Sequence, residues 1–133
     1  MIALDTNVIV RVVTNDDPGQ AQAALARIRG EELFLAKTVA LETAWVLRYT
    51  YRFSREEITA VFSRLLGLPG LEVEQRSIVV QALSWVSAGV DFADALHLAS
   101  SGEASLFLTF DRQLASSARE TQHGPAVELL ATT

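Results

Sequence analysis

The chain has 133 residues, half of them apolar and a fifth charged, with no cysteine, two histidines and a net charge of −5. That length and balance predict one domain, 1–133, able to bury its own core. They exclude a disulfide framework, a thiolate metal site, a cysteine nucleophile and a histidine-rich zinc site.

Ile2–Leu4 is a short apolar run ending at Asp5 and reads as a buried strand. Thr6–Val13 places Val8, Ile9, Val12 and Val13 at helical spacing, although β-branched residues also suit strands. Asn15–Gly19 is breaker chemistry and reads as a loop, followed by an alanine-rich helix, Gln20–Arg29, that Gly30 stops. Leu33–Ala36 is a second strand. Thr38 is then read as the cap of a long helix ending near Tyr51. Ser54-Arg55-Glu56-Glu57 has the form of a capping box, opening a helix that runs to about Leu66 before Gly-Leu-Pro-Gly.

Leu71–Glu74 reads as a third strand, Ile78–Ser87 as a helix ended by Gly89, and Asp91–Ser101 as another helix. Ser105–Thr109 is a strand, a helix begins at Asp111, and Ala126–Leu130 is the last strand. Strands alternating with helices predict an α/β domain with a mostly parallel sheet covered on both faces. No apolar run reaches the roughly 18 residues of a membrane span, and Met1–Leu4 carries no basic leader. A cytoplasmic protein without membrane contact is expected.

In such sheets function gathers beyond the carboxyl ends of the strands. Asp5 follows the first strand, Glu42 lies early in the helix after the second, Asp94 lies early in the helix opened by Asp91, and Asp111 follows the Ser105–Thr109 strand. Asp5 and Asp111 also read as helix caps, since a carboxylate accepts from orphan N–H groups and complements the helix dipole. Asp91 and Asp94 together have capping-box spacing. Glu42 shares a helical face with Val39, Val46 and Tyr49, and Asp94 sits in Phe-Ala-Asp-Ala-Leu. A carboxylate on an apolar stripe is costly unless paired or bound to a metal. Carboxylates that face one another raise each other's pKa unless a cation neutralises them. Oxygen-only donors suit Mg²⁺ or Mn²⁺, and such a centre can activate water against a phosphodiester.

Net charge alone argues against a nucleic-acid binder. Setting four acids aside for a metal leaves eleven basic residues against twelve acidic ones. Arg11, Arg48 and Arg112 lie near the acids in sequence and are the candidates for contact with substrate phosphates. The ordinary surface preference of arginine gives each a solvated or ion-paired role as the alternative.

Four stretches carry a resemblance: Ile2-Ala3-Leu4-Asp5-Thr6-Asn7-Val8-Ile9-Val10-Arg11, Leu41-Glu42, Asp91-Phe92-Ala93-Asp94-Ala95-Leu96-His97-Leu98-Ala99, and Leu108-Thr109-Phe110-Asp111. In this order, over essentially the whole chain, they resemble PIN-domain proteins, and among those the VapC-type toxins of type II toxin–antitoxin pairs. The resemblance implies a three-layer α/β/α domain with about five mostly parallel strands and a Mg²⁺- or Mn²⁺-dependent endoribonuclease site. It implies Asp5 and Asp94 as main metal ligands, Glu42 as the residue that holds or orients water, and Asp111 as a ligand directly or through water. Thr6, Asn7 and Thr109 would support them. Cleavage would leave a 5′-phosphate and a 3′-hydroxyl. An antitoxin, small and DNA-binding, is the implied partner, and a homodimer the implied assembly.

Asn7 stands where a haloacid-dehalogenase-like phosphatase needs a second acid, and Lys37 comes too early for a receiver domain. No phosphate-binding G-x-x-x-x-G-K-[ST] loop occurs. Two other readings stay open on the residues: a non-catalytic module whose acids bind a basic partner, and a free-standing RNA-processing nuclease. His97, three residues after Asp94, is read as packed, with a tuning role as the alternative. His123 carries no signal. Trp45, Trp85 and Phe62 are read as packing or subunit interface.

Overall fold

The computed structural model describes residues 1–121 and 124–132, so His123 lies outside the described residues. The chain forms two compact units, Met1–Arg76 and Ser77–Thr133.

In the first unit β1 (Ile2–Ala3), β2 (Leu33–Leu35) and β3 (Leu71–Val73) pair in the order β1-β2-β3, all parallel. Leu33 lies opposite Leu71 and Leu35 opposite Val73. These four side chains are buried, while Glu72, between Leu71 and Val73 and opposite Phe34, is exposed. Full burial of each such side chain contributes about 1.5–3 kcal/mol. Parallel strands need crossover connections, and the helices supply them. They are α1 (Thr6–Thr14) and α2 (Pro18–Ile28) between β1 and β2, then α3 (Lys37–Tyr49) and α4 (Arg55–Leu66) between β2 and β3.

α1 is a run of β-branched residues with modest intrinsic helix propensity. Its ends are fixed from outside that run. Asp5 caps the start, and Asn15 takes the left-handed conformation at the end (φ 53°), its N–H bonded to the Arg11 carbonyl at 2.9 Å. α2 starts two residues earlier than the expected Gln20. Pro18 and Gly19 do not break the chain here but open the helix, and Asp17 accepts from the Gln20 N–H at 3.1 Å. Proline fits a first helical position because the N–H it lacks has no partner there.

The expected cap of α3 is also corrected. Thr38 lies inside the helix, and the N-cap position is Ala36, which offers no side-chain bond. A carboxylate from far along the chain substitutes: the Lys37 N–H donates to Glu74 Oε1 at 2.8 Å. The Glu74 N–H in turn donates to the Leu35 carbonyl at 2.9 Å. The Ser54–Glu57 capping box forms reciprocally, as expected, with bonds of 3.0 and 3.1 Å.

α5 (Arg76–Ser87) begins at the last residue of the first unit. The second unit continues with α6 (Phe92–Ser100), β4 (Leu106–Thr109), α7 (Arg112–Ser117), a 3-10 turn at Ala118–Glu120 and β5 (Ala126–Leu129). β4 and β5 pair in parallel from Leu106↔Ala126 to Thr109↔Leu129.

The α/β class and the five parallel strands stand as expected, but the strands hydrogen-bond as three and two. The expectation of cover on both faces fails at β4. Leu106 and Leu108, and Phe110 just beyond, alternate onto an exposed face. Phe62 and Trp85 are buried, whereas Trp45 is exposed, its ring centroid 5.4 Å from that of Tyr49.

Candidate functional site

Two of the expected acids lie in each unit. In the first, Asp5 leaves β1 in extended conformation (φ −84°, ψ 160°), and its Oδ1 accepts the Thr6 N–H at 2.8 Å. That bond uses one carboxylate oxygen. Among the described residues nothing donates to the other. Thr6 is buried, and its hydroxyl has no hydrogen-bond partner among the described residues. A buried polar atom without a partner is uncommon and asks for one.

Glu42 rises from the second turn of α3. Asp5, Thr6, Asn7, Arg11, Glu42 and Tyr51 line one cavity of about 340 Å³ in this unit. The apolar-stripe argument for Glu42 does not hold. Its side chain is exposed, Tyr49 is exposed, and Val39 and Val46 are only half-buried. Helical spacing shows which residues share a face, not whether another element covers that face.

The second unit holds Asp94 and Asp111. Asp111 caps α7 by accepting the Gln113 and Leu114 N–H groups at 2.9 and 3.1 Å. The Asp111 N–H donates to Thr109 Oγ1 at 2.9 Å, so Thr109 fixes the turn that aims this carboxylate. Asp91 caps α6 through the Ala93 N–H at 3.1 Å. The expected capping box does not form, since the Asp91 bond goes to Ala93 and not to the Asp94 N–H, and the Asp94 carboxyl has no hydrogen-bond partner among the described residues. Asp94 is half-buried, and burial pushes its pKa above the ordinary 3.8. The nearby Asp91 and Asp111 carboxylates add to the rise, and His97 opposes it. His97 is exposed, not packed as expected, and acts on Asp94 through charge.

The raised pKa has a stability consequence. The folded protein binds the Asp94 proton more tightly than the unfolded chain does, so stability falls as pH rises from 3.8 through the raised value. Asp94→Asn is therefore expected to raise Tm at pH 7 in metal-free buffer. The gain should disappear well below pH 3.8, where Asp94 is protonated in the folded and the unfolded chain alike. Thermal melts at the two pH values check this; a lower Tm for the variant at pH 7 would contradict it.

Arg48 donates to the Phe53 carbonyl at 3.1 Å and secures the turn after α3. Arg112 is exposed and lines a second cavity, of about 450 Å³ in the second unit, with Arg119. Sequence reasoning missed Tyr51, which reaches the first cavity from the end of α3, and Asp16, which binds the Tyr51 hydroxyl. Only the Asp-Asp pair in the Asn15–Gly19 loop signalled Asp16.

Among the described residues no three His, Asp or Glu side chains are gathered as a metal site. The donors present nevertheless fit a hard divalent cation. They are all oxygen, they include free carboxylate oxygens, and an unpartnered buried hydroxyl adjoins Asp5. No helix is long and apolar enough to cross a membrane among the described residues.

Compared with known proteins, the chain matches the PIN domain model over residues 2–120, a span that runs through both units. No curated protein matches it. PIN domains are in general metal-dependent nucleases that use divalent ions. With that match covering most of its length, the chain belongs to the PIN-domain family.

Proposed function

We propose that this protein is a Mg²⁺- or Mn²⁺-dependent endoribonuclease, the toxin of a type II, VapC-like toxin–antitoxin pair. The observation that carries the reading is the placing of Asp5 and Glu42 on the wall of one cavity, beyond the carboxyl ends of parallel strands, in a PIN-domain chain.

Asp5, Glu42, Asp94 and Asp111 would hold the cation, within a single domain 1–133. When bound, the ion polarises a phosphoryl oxygen and lowers the pKa of water. The chain's own residues do the rest. The Thr6 N–H locks Asp5 into one orientation. Glu42, free of any protein partner among the described residues, accepts a hydrogen bond from the attacking water and orients it. The Thr109 turn and the two α7 N–H groups hold Asp111 in place. Asn7 lines the cavity and would donate to the scissile phosphate. Arg112 contacts a phosphate further along the strand. Arg48 does so with the donors that the Phe53 carbonyl leaves free.

The partner is an antitoxin with a basic segment, which a chain of net charge −5 with an acid-lined cavity complements. The assembly is a homodimer in the cytoplasm.

The test is cleavage of total cellular RNA by the purified protein, freed of partner, in Mg²⁺, in Mn²⁺ and in chelator. Discrete fragments are expected with either metal and none with chelator. Binding without cleavage would leave a non-catalytic module. For the toxin role, expression of the chain alone should arrest growth within one or two doublings, and Asp94→Asn should relieve the arrest. Unimpeded growth with abundant cleaving protein would leave a free-standing processing nuclease.

A further inference from the structure

One side chain in the first cavity is held by more bonds than an exposed arginine needs. Arg11 sits one and a half turns along α1 from Asp5 and lines the same cavity. Its Nε donates to Gln20 Oε1 at 2.8 Å. Its Nη1 lies 3.4 and 3.5 Å from the two Asp16 carboxylate oxygens and 3.3 Å from the Tyr51 hydroxyl. The Tyr51 hydroxyl donates to Asp16 Oδ2 in a short bond, and Thr14 Oγ1 lies 3.0 Å from Asp16 Oδ1. The Tyr51 bond, above all, holds the Asp16 carboxyl below its usual range, against a smaller opposing effect of desolvation. The acceptor therefore stays charged and keeps its grip on the guanidinium.

This network joins three segments: α1, the start of α2 and the turn after α3. All of it converges on one guanidinium, held at its Nε and Nη1 atoms. The Nη2 side has no partner among the described residues. A guanidinium held at Nε and Nη1 keeps the Nη2 N–H groups, in a fixed orientation, to donate to an anion oxygen. The cavity it lines also presents Asp5 and Glu42, whose charges repel an incoming phosphodiester. A fixed cation beside them offsets that repulsion and sets the strand's position.

We infer that Arg11 seats a backbone phosphate of single-stranded RNA beside the Asp5–Glu42 wall, and that Tyr51, Asp16 and Gln20 are positioning residues that hold its guanidinium for this. The inference rests on the nuclease reading for the identity of the strand. It adds that the first unit binds phosphate through one pre-oriented arginine.

The experiment measures Kd for a fluorescently labelled single-stranded RNA oligonucleotide of mixed sequence by anisotropy, across a range of salt, with the protein in its Asp94→Asn form so that no strand is cut. A DNA oligonucleotide of the same sequence is the second arm. Arg11→Gln is expected to weaken RNA binding about 5–10-fold, the effect of losing a charge-assisted contact. It should also flatten the salt dependence by about one counterion. Arg11→Lys keeps the charge and loses the fork, so it should weaken binding with the salt slope unchanged. Tyr51→Phe should weaken binding about 2–3-fold in the Arg11 protein and not at all in the Arg11→Gln protein, because a positioning residue acts only through the residue it positions. A purely structural role for Arg11 would lower Tm and leave the salt slope alone.

Equal Kd and equal salt slope for Arg11→Gln and its parent would overturn the inference, as would failure of the parent to bind RNA. A loss confined to DNA would overturn it as well. Arg11-dependent binding by a protein that never cleaves RNA would remove the hydrolase reading and keep the phosphate seat. Cleavage with Arg11-independent binding would do the reverse.

Discussion

Asp5→Asn is expected to abolish metal-dependent RNA cleavage while leaving the protein folded. Asp5 has two separable tasks. One oxygen caps α1 through the Thr6 N–H at 2.8 Å, and the carboxylate as a whole supplies negative charge to the cavity. Asparagine is as good a helix cap as aspartate, so the variant keeps the first task. It loses the second, because an amide oxygen is a weak donor to a hard cation and carries no charge. Loss of an outer-sphere partner of a metal costs 10–100-fold, so loss of a direct ligand should cost at least about 100-fold in initial rate. Asp94→Asn should behave alike. The two differ in stability: the Asp5 variant should melt with the parent and the Asp94 variant above it. An Asp5→Asn protein cutting RNA at more than a tenth of the parent rate would remove Asp5 from the metal centre.

Phe62→Ala should produce a large loss of stability for a single core truncation. Phe62 is the largest of the fully buried side chains, set on α4 inside the first unit. Its removal takes away apolar contact and leaves a cavity that the surrounding core fills only in part, at a cost of about 3–5 kcal/mol. Domains are stable by about 5–15 kcal/mol, so this is a large fraction of the whole. Urea titration should show a lowered midpoint with the slope unchanged. Trp45→Ala is the contrast. Trp45 is larger but 55% exposed, so its truncation should shift stability by no more than about 0.5 kcal/mol. A similar midpoint for the two variants would contradict this assignment of the core.

Both outcomes depend on placements that the sequence made readable to different degrees. Local chemistry was legible. Ser54 with Glu57 forms its capping box, Asp91 caps α6, and Ile2 starts a parallel strand that delivers Asp5 to the chain's first helix. The placing of Asp5 after β1 and of Asp111 after β4 followed from strands ending where apolar runs end. Contacts over long sequence separation were not legible. Thr38 has the right chemistry for a cap and the right neighbourhood, but the bond goes to Glu74. Tyr51 and Asp16 meet across 35 positions, and no periodicity encodes that meeting. Glu42 failed differently. Its face was identified correctly, but its exposure depends on which elements pack against α3. Asp94 shows the opposite outcome: the apolar segment around it does half-bury the carboxyl, and its proton affinity rises for that reason.

The Glu74 cap also sets an order of events in synthesis. The first N–H of α3 waits for an acceptor 37 residues further along the chain. At about 5–20 residues per second, a ribosome reaches that acceptor some 2–7 s after adding Lys37. Until then the strand and helix that bear Glu42 lack the clamp that Glu74 closes between Leu35 and Lys37. A nascent or prematurely ended chain shorter than 74 residues thus contains Asp5 and Glu42 without the bond that fixes the start of α3, and release of a finished first unit is tied to completion of β3.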